Sequence, residues 1–146
     1  MMKTNDIVRV DVGDLGEQIV QSHYGSVRAD WFNNKRDGHI GMLSYEVKTM
    51  RLNHKTNTFW IDESQWKKVD GVDILFIVEI PEHIKDPAVL YLCVNHKTAY
   101  TNAPLGKDFI RGYYKDACLP ITETTGELAE QLYNGSVQIS KHKRFK

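Results

Sequence analysis

Residues 37–50 read Asp37-Gly38-His39-Ile40-Gly41-Met42-Leu43-Ser44-Tyr45-Glu46-Val47-Lys48-Thr49-Met50, and the fold turns on them. Tyr45 to Thr49, flanked by Leu43 and Met50, predicts a strand. Side chains two apart on a strand share a face, so Glu46 and Lys48 project together while Tyr45, Val47 and Thr49 point the other way. A carboxylate and an ammonium on a core strand cost free energy unless something uses them. The plainer reading is an exposed strand with a solvated pair. A turn at Gly41-Met42 would set residue 40 against 43 and residue 37 against 46. Two carboxylates then face each other across a ladder, where like charges destabilise. A divalent cation would turn that repulsion into a site. The rival local reading makes Asp37-Gly38 itself a type I′ turn.

The chain has 146 residues, 41% of them hydrophobic, enough for one domain with a core that needs no staples. Nineteen basic and nineteen acidic residues cancel, so net charge announces no nucleic-acid partner. A locally basic surface can still bind one, because steering depends on where charge sits. Cys93 and Cys118 are far apart in sequence, show no metal or redox spacing, and read as reduced small hydrophobes of a cytoplasmic protein. No apolar run approaches the ~18 residues of a membrane span, and the first residues lack a signal-peptide core. The six histidines include no pair at zinc-ligand spacing. No phosphate-cradling glycine loop and no serine elbow occurs.

Working outward, Asp14 and Glu17 have capping-box spacing and open a helix. Leu15, Ile19, Val20 and His23 lie along its apolar side, and Gly25 stops it. Val27 to Phe32 predicts a strand. After the Glu46 strand comes a polar loop, residues 51–58, then Phe59-Trp60-Ile61 and a short helix from Asp62 to Lys68 with Trp66 and Val69 inward. Val72 to Ile80 is the strongest strand, its continuous apolar run suiting burial on both faces of a sheet. Val89 to Val94 follows. Residues 95–119 stay ambiguous. Thr124 and Glu127 open a second small helix through Leu128, Ala129 and Leu132, ended by Gly135. Val137 and Ile139 predict an edge strand. The basic tail, residues 141–146, reads either as a solvated end or as a DNA contact.

Asp37, then Glu46-Val47-Lys48 after eight residues, resembles the PD-(D/E)XK nuclease superfamily, although Arg36 stands where the pattern has proline. The predicted order over about residues 13–96 is similar to the α-β-β-β-α-β core of that superfamily. The resemblance implies an α/β, restriction-endonuclease-like fold: a central mixed sheet flanked by helices. Gly13-Asp14-Leu15-Gly16-Glu17 resembles the opening helix of resolvase-type members, in which a helix glutamate reaches the metal. Glu17 is therefore either a ligand or a helix cap.

The resemblance implies catalytic Glu17, Asp37, Glu46 and Lys48, with Mg²⁺ (Mn²⁺ substituting) held by Glu17, Asp37, Glu46 and the Val47 carbonyl. Gln65 is a possible auxiliary residue on the following helix. Carboxylates and carbonyls are hard oxygen donors suited to Mg²⁺. Such an ion lowers the pKa of bound water and relieves charge at phosphorus. Lys48 then orients the attacking water and stabilises charge on the phosphoryl group. Arg51, His54 and Lys55 in the loop, with Lys141, Lys143 and Arg144 in the tail, are the expected contacts to DNA phosphates. The expected activity is metal-dependent DNA endonuclease, Holliday-junction-resolvase-like and homodimeric. The alternatives are a nicking, repair or restriction-type nuclease on duplex DNA, and a non-catalytic nucleic-acid-binding module in which Glu46 and Lys48 are only a salt pair.

Overall fold

The hairpin of Gly38–Ile40 and Leu43–Met50 forms as its sequence requires. Gly41 takes a left-handed conformation (φ 59°) that lets the chain reverse at residues 41–42. Ile40 then faces Leu43, His39 faces Ser44 and Gly38 faces Tyr45. Gly38 is thus a paired strand residue, which removes the rival turn at Asp37-Gly38. The structure, a computed structural model, describes residues 11–25, 27–28, 38–94, 96–97, 101–105 and 108–144. Asp37 lies outside them.

The chain is α/β, with a six-stranded mixed sheet in the order β1-β2-β3-β5-β6-β9. Its strands are β1 (Val27–Arg28), β2 (Gly38–Ile40), β3 (Leu43–Met50), β5 (Ile74–Glu79), β6 (Ala88–Cys93) and β9 (Cys118–Thr124). Among the described strands only β3 and β5 pair in parallel, Tyr45 with Ile74 through Met50 with Glu79. Parallel neighbours need a crossover. Here it comprises β4 (Thr58–Asp62) and helix α2 (Glu63–Asp70). β4 belongs to a second, three-stranded sheet with β8 (Asp108–Tyr114) and β7 (Thr101–Leu105). The ambiguous stretch after residue 95 therefore supplies this second sheet. Its pairing with β4 is non-local, which local sequence cannot announce.

Two cores follow from strand alternation. On one face Tyr45, Val47, Phe76, Val78 and Leu90 meet helices α1 (Val12–Tyr24) and α3 (Glu127–Arg144) through Leu15, Ile19, Val20, Ala129 and Leu132. On the other, Leu75, Ile77, Tyr91 and Cys93 meet Phe59, Ile61, Trp66, Val69 and Tyr113 from the second sheet and α2. Leu75 to Val78 are all buried, as expected of a strand covered on both sides.

Several expectations are corrected. The N-cap of α1 is Asp11, whose Oδ1 accepts from the N–H groups of Gly13 (3.0 Å) and Asp14 (3.3 Å). The Asp14–Glu17 capping box does not form, because the helix begins earlier and Glu17 lies beyond its first turn. His23 is exposed, while Gly25 ends the helix as expected (φ 61°). Thr124 belongs to β9, and Gly135 does not stop α3, which runs to Arg144. A helical glycine costs roughly 0.5–1 kcal/mol against alanine. Ser136 Oγ offsets part of that cost, donating to the Tyr133 carbonyl at 2.8 Å and accepting from Arg51 Nη2 at 2.7 Å. Val137 and Ile139 are consequently helical, not an edge strand, and residues 141–144 of the basic tail continue the helix.

His96 closes the second core. Its buried Nε2–H donates to the Val72 carbonyl at 3.1 Å, and Tyr113 donates to the His96 carbonyl at 2.8 Å. Burial holds its pKa below the ordinary 6.5, although the Val72 bond works in the opposite direction. The unfolded chain therefore takes up this proton first. Its contribution is intact above about pH 6.5 and is lost as pH falls toward the lower folded value. Thermal melting should drop between pH 7 and 5, and His96→Gln should flatten that slope. An unchanged slope would place the acid sensitivity elsewhere.

Candidate active site

β3 carries the two charged groups into the structure side by side. Glu46 is 4% exposed, and Lys48 Nζ stands 4.0 Å from its Oε1. Their register partners on β5 are Leu75 and Ile77, so both charges project onto the face covered by α2 and the second sheet. This is no solvated pair. The side chain of Lys48 keeps 15% exposure, so its head is wetter than the carboxylate. Burying an ion costs several kcal/mol. Described pairing of β3 with β2 ends at Tyr45, one residue before Glu46.

Glu17 is half-buried on α1, immediately after Gly16. Gly16 touches β3 so closely that a Cβ there would meet Thr49 Oγ1 at 1.8 Å. Thr49 projects opposite to Lys48, so α1 lies on the other side of the sheet from the Glu46–Lys48 face. Glu17 and Glu46 are therefore carried by elements that meet along β3, on opposite sides of the sheet. Gln21 Nε2, one turn after Glu17, and Thr49 Oγ1 are buried and make no hydrogen bond. Neither residue stands out in the sequence. The Val47 side chain is core, which leaves its carbonyl as the group relevant to a metal. Among the described residues no group of three or more His, Cys, Asp or Glu side chains gathers as a metal cluster. Two carboxylates and carbonyl oxygen nonetheless match the needs of Mg²⁺, which takes one or two carboxylates and keeps several waters.

Other expected site residues fare differently. Gln65 is exposed on α2, whereas Trp66 and Val69 are buried as predicted. Arg51 is tied to α3, its Nε and Nη2 donating to Ser136 Oγ at 3.1 and 2.7 Å. His54 Nε2 lies 3.3 Å from Glu82 Oε2, and Lys55 is exposed in the turn between Asn53 and Thr58. Arg51, Leu52, His54, Ile80 and Glu82 line an open cavity of about 70 Å³ at the carboxyl ends of β3 and β5. Crevices at the carboxyl ends of parallel strands are common ligand positions in α/β sheets. Lys141, Lys143 and Arg144 fall in the last turns of α3, where the backbone alone is described.

One cluster escaped the sequence reading. Lys115 Nζ lies 3.1 Å from Glu79 Oε1, Tyr91 donates to the same oxygen at 3.2 Å, and the ammonium stands 5.8 Å from the Tyr91 ring centroid. Burial, then the Glu79 charge, raises the Tyr91 pKa. Burial alone would lower that of Lys115, but bonding to Glu79 outweighs it and the net shift is upward. Glu79 pairs with Met50, so this cluster shares the Glu46–Lys48 face. Its members come from three distant segments, and no spacing joins them.

Compared with protein-family models and with curated proteins, the chain matches none.

Proposed function

We propose that this chain is a Mg²⁺-dependent DNA endonuclease of restriction-endonuclease-like, PD-(D/E)XK type. The observation that carries the reading is the withdrawal of Glu46 and Lys48 from water, side by side, on one face of β3. Apolar residues would stabilise that face more simply, so the charges are best accounted for by use. The hairpin register through Gly38 and Tyr45, the parallel β3–β5 pair and the helix-first element order also support it. Release of Glu17 from a capping role adds to that support.

Asp37, Glu46, Glu17 and the Val47 carbonyl would hold the ion, which supplies Lewis acidity and a water of lowered pKa. Lys48 would orient the attacking water and donate to the phosphoryl oxygens as charge builds. Lys55 and the helical Lys141, Lys143 and Arg144 contact the DNA backbone, with Arg51 at the mouth of its cavity. One such site cuts one strand, so symmetric resolution of a branched junction requires two copies, most simply as a two-fold dimer. Labelled junction, flap, duplex and single-stranded DNA, each with and without Mg²⁺, test the reading. Metal-dependent cleavage fastest on the junction is expected. A monomer that cuts duplex equally well would favour a nicking or restriction-type enzyme, and no cleavage at all a binding module.

The two roles once open to Glu17 separate in one comparison. Asp11→Ala should lose roughly 1 kcal/mol of stability with cleavage retained. Glu17→Gln should keep stability within a few tenths of a kcal/mol, as expected away from a cap, while lowering activity and raising the Mg²⁺ requirement. Full activity in Glu17→Gln would remove it from the site.

A further inference from the structure

Cys93 and Cys118 are the only cysteines in the chain, and the fold sets them directly opposite each other. Cys93 ends β6, Cys118 begins β9, and the two are register partners in an antiparallel ladder. Directly opposed antiparallel residues have Cα atoms about 4.5–5.5 Å apart, on the same face. That separation falls inside the roughly 4.4–6.8 Å range of disulfides. Both residues are buried, at 3% and 6% exposure, in the core beneath the second sheet. Leu119 and Val94, their chain neighbours, are exposed.

We infer that Cys93 and Cys118 form a reversible thiol–disulfide site, oxidised by hydrogen peroxide or a comparable small peroxide. The Cys118 thiol donates to the Tyr114 carbonyl at 3.5 Å, and interaction between the opposed thiols pushes the Cys118 pKa below the ordinary thiol value and the Cys93 pKa above it. Cys118 is accordingly assigned as the attacking sulfur. Its thiolate takes one peroxide oxygen to become a sulfenic acid, and the O–O bond breaks with release of hydroxide. Cys93 then attacks the sulfenic sulfur; the S–S bond forms and the oxygen leaves as water. Two thiols and one peroxide give one disulfide and two waters. Opposed strand residues have Cβ atoms about 4.5–5.5 Å apart, wider than the roughly 3.5–4.5 Å a relaxed disulfide needs. The closed bond is thus strained, which places it among the readily reduced, regulatory disulfides.

Closure ties the edge strand β9 to β6 and loops off residues 94–117, which contain β7 and β8. That loop covers the Glu46–Lys48 face, so oxidation staples the layer above it.

Graded hydrogen peroxide on the purified full chain, followed by thiol counting and intact mass, tests the inference. Both thiols should disappear together, with loss of two hydrogen atoms and no intermolecular dimer. Dithiothreitol should restore them. The oxidised chain should melt roughly 5–10 °C higher, as expected of a loop this size. Cys93→Ser should trap a dimedone-reactive sulfenic acid on Cys118, while Cys118→Ser should leave Cys93 unreacted. Cys93→Ala and Cys118→Ala repeat the comparison without a hydroxyl in the core. Native thiols that survive peroxide yet react once unfolded would overturn the inference. So would oxygen addition without loss of hydrogen.

Discussion

Glu46→Gln, Lys48→Ala and Asp37→Asn are each expected to cut Mg²⁺-dependent DNA cleavage by ~10²–10³-fold or more, the usual effect of removing a preorganised catalytic charge. The three should fail for different reasons. Glu46→Gln preserves the shape of a 4%-exposed side chain and removes a buried charge, so the fold should tolerate it. Lys48→Ala removes the ammonium beside that carboxylate, and breaking a fully buried pair costs about 3–5 kcal/mol. The cost here should be smaller, because the pair is 4.0 Å apart and Lys48 is partly wet. Melting with and without Mg²⁺ separates binding from catalysis, since an ion that binds only the folded state raises the melting temperature. That rise should vanish in Glu46→Gln and Asp37→Asn and persist in Lys48→Ala. Wild-type rates in any of the three would remove that residue from the mechanism.

A second large effect is expected at Gly16, where no side chain fits. A Cβ would meet Thr49 Oγ1 at 1.8 Å and Thr49 Cβ at 3.1 Å. Rotating the threonine cannot relieve both, so α1 must lift from β3. Gly16→Ala should cost about 1–3 kcal/mol, the range for overpacking a close contact. It should also reduce cleavage, because Glu17 moves with the helix. Thr49→Ala removes the closest atom, so the double variant Gly16→Ala/Thr49→Ala should recover much of the loss. Residues in contact commonly couple by 0.5–3 kcal/mol. Strict additivity in denaturant unfolding would show that the two side chains do not meet.

The centre of this site was legible because strand periodicity and turn chemistry are local. Glu46 and Lys48 alternate with core residues, and Gly41 can adopt the positive φ that fixes the hairpin register. β5 was legible from its apolar run. The start of α1 is not legible in the sequence because Asp11 and Asp14 are both good caps, and sequence does not say which one the chain uses. The C-terminal helix was cut short because Gly135 looks like a stop. What carries the chain through it is a tie from Ser136 to Arg51, a residue on the far side of the sequence. The second sheet, the Glu79–Tyr91–Lys115 cluster and the Cys93–Cys118 opposition are likewise made by long-range pairing, which leaves no periodic trace.

The parallel pairing of β3 with β5 has a kinetic consequence. The β2–β3 hairpin closes over a two-residue turn, and hairpins form in about 1–10 μs. β3 gains its second neighbour only when β5 docks beside it, after the crossover through β4 and α2 has been laid down. Contacts of such sequence separation are slow, because loop entropy is lost before burial returns it. During that interval two charges stand in water on the open edge of a half-made sheet. Charged side chains on an exposed edge discourage other strands from pairing there. The residues proposed to cut DNA in the finished protein would thus guard its most vulnerable strand while it folds.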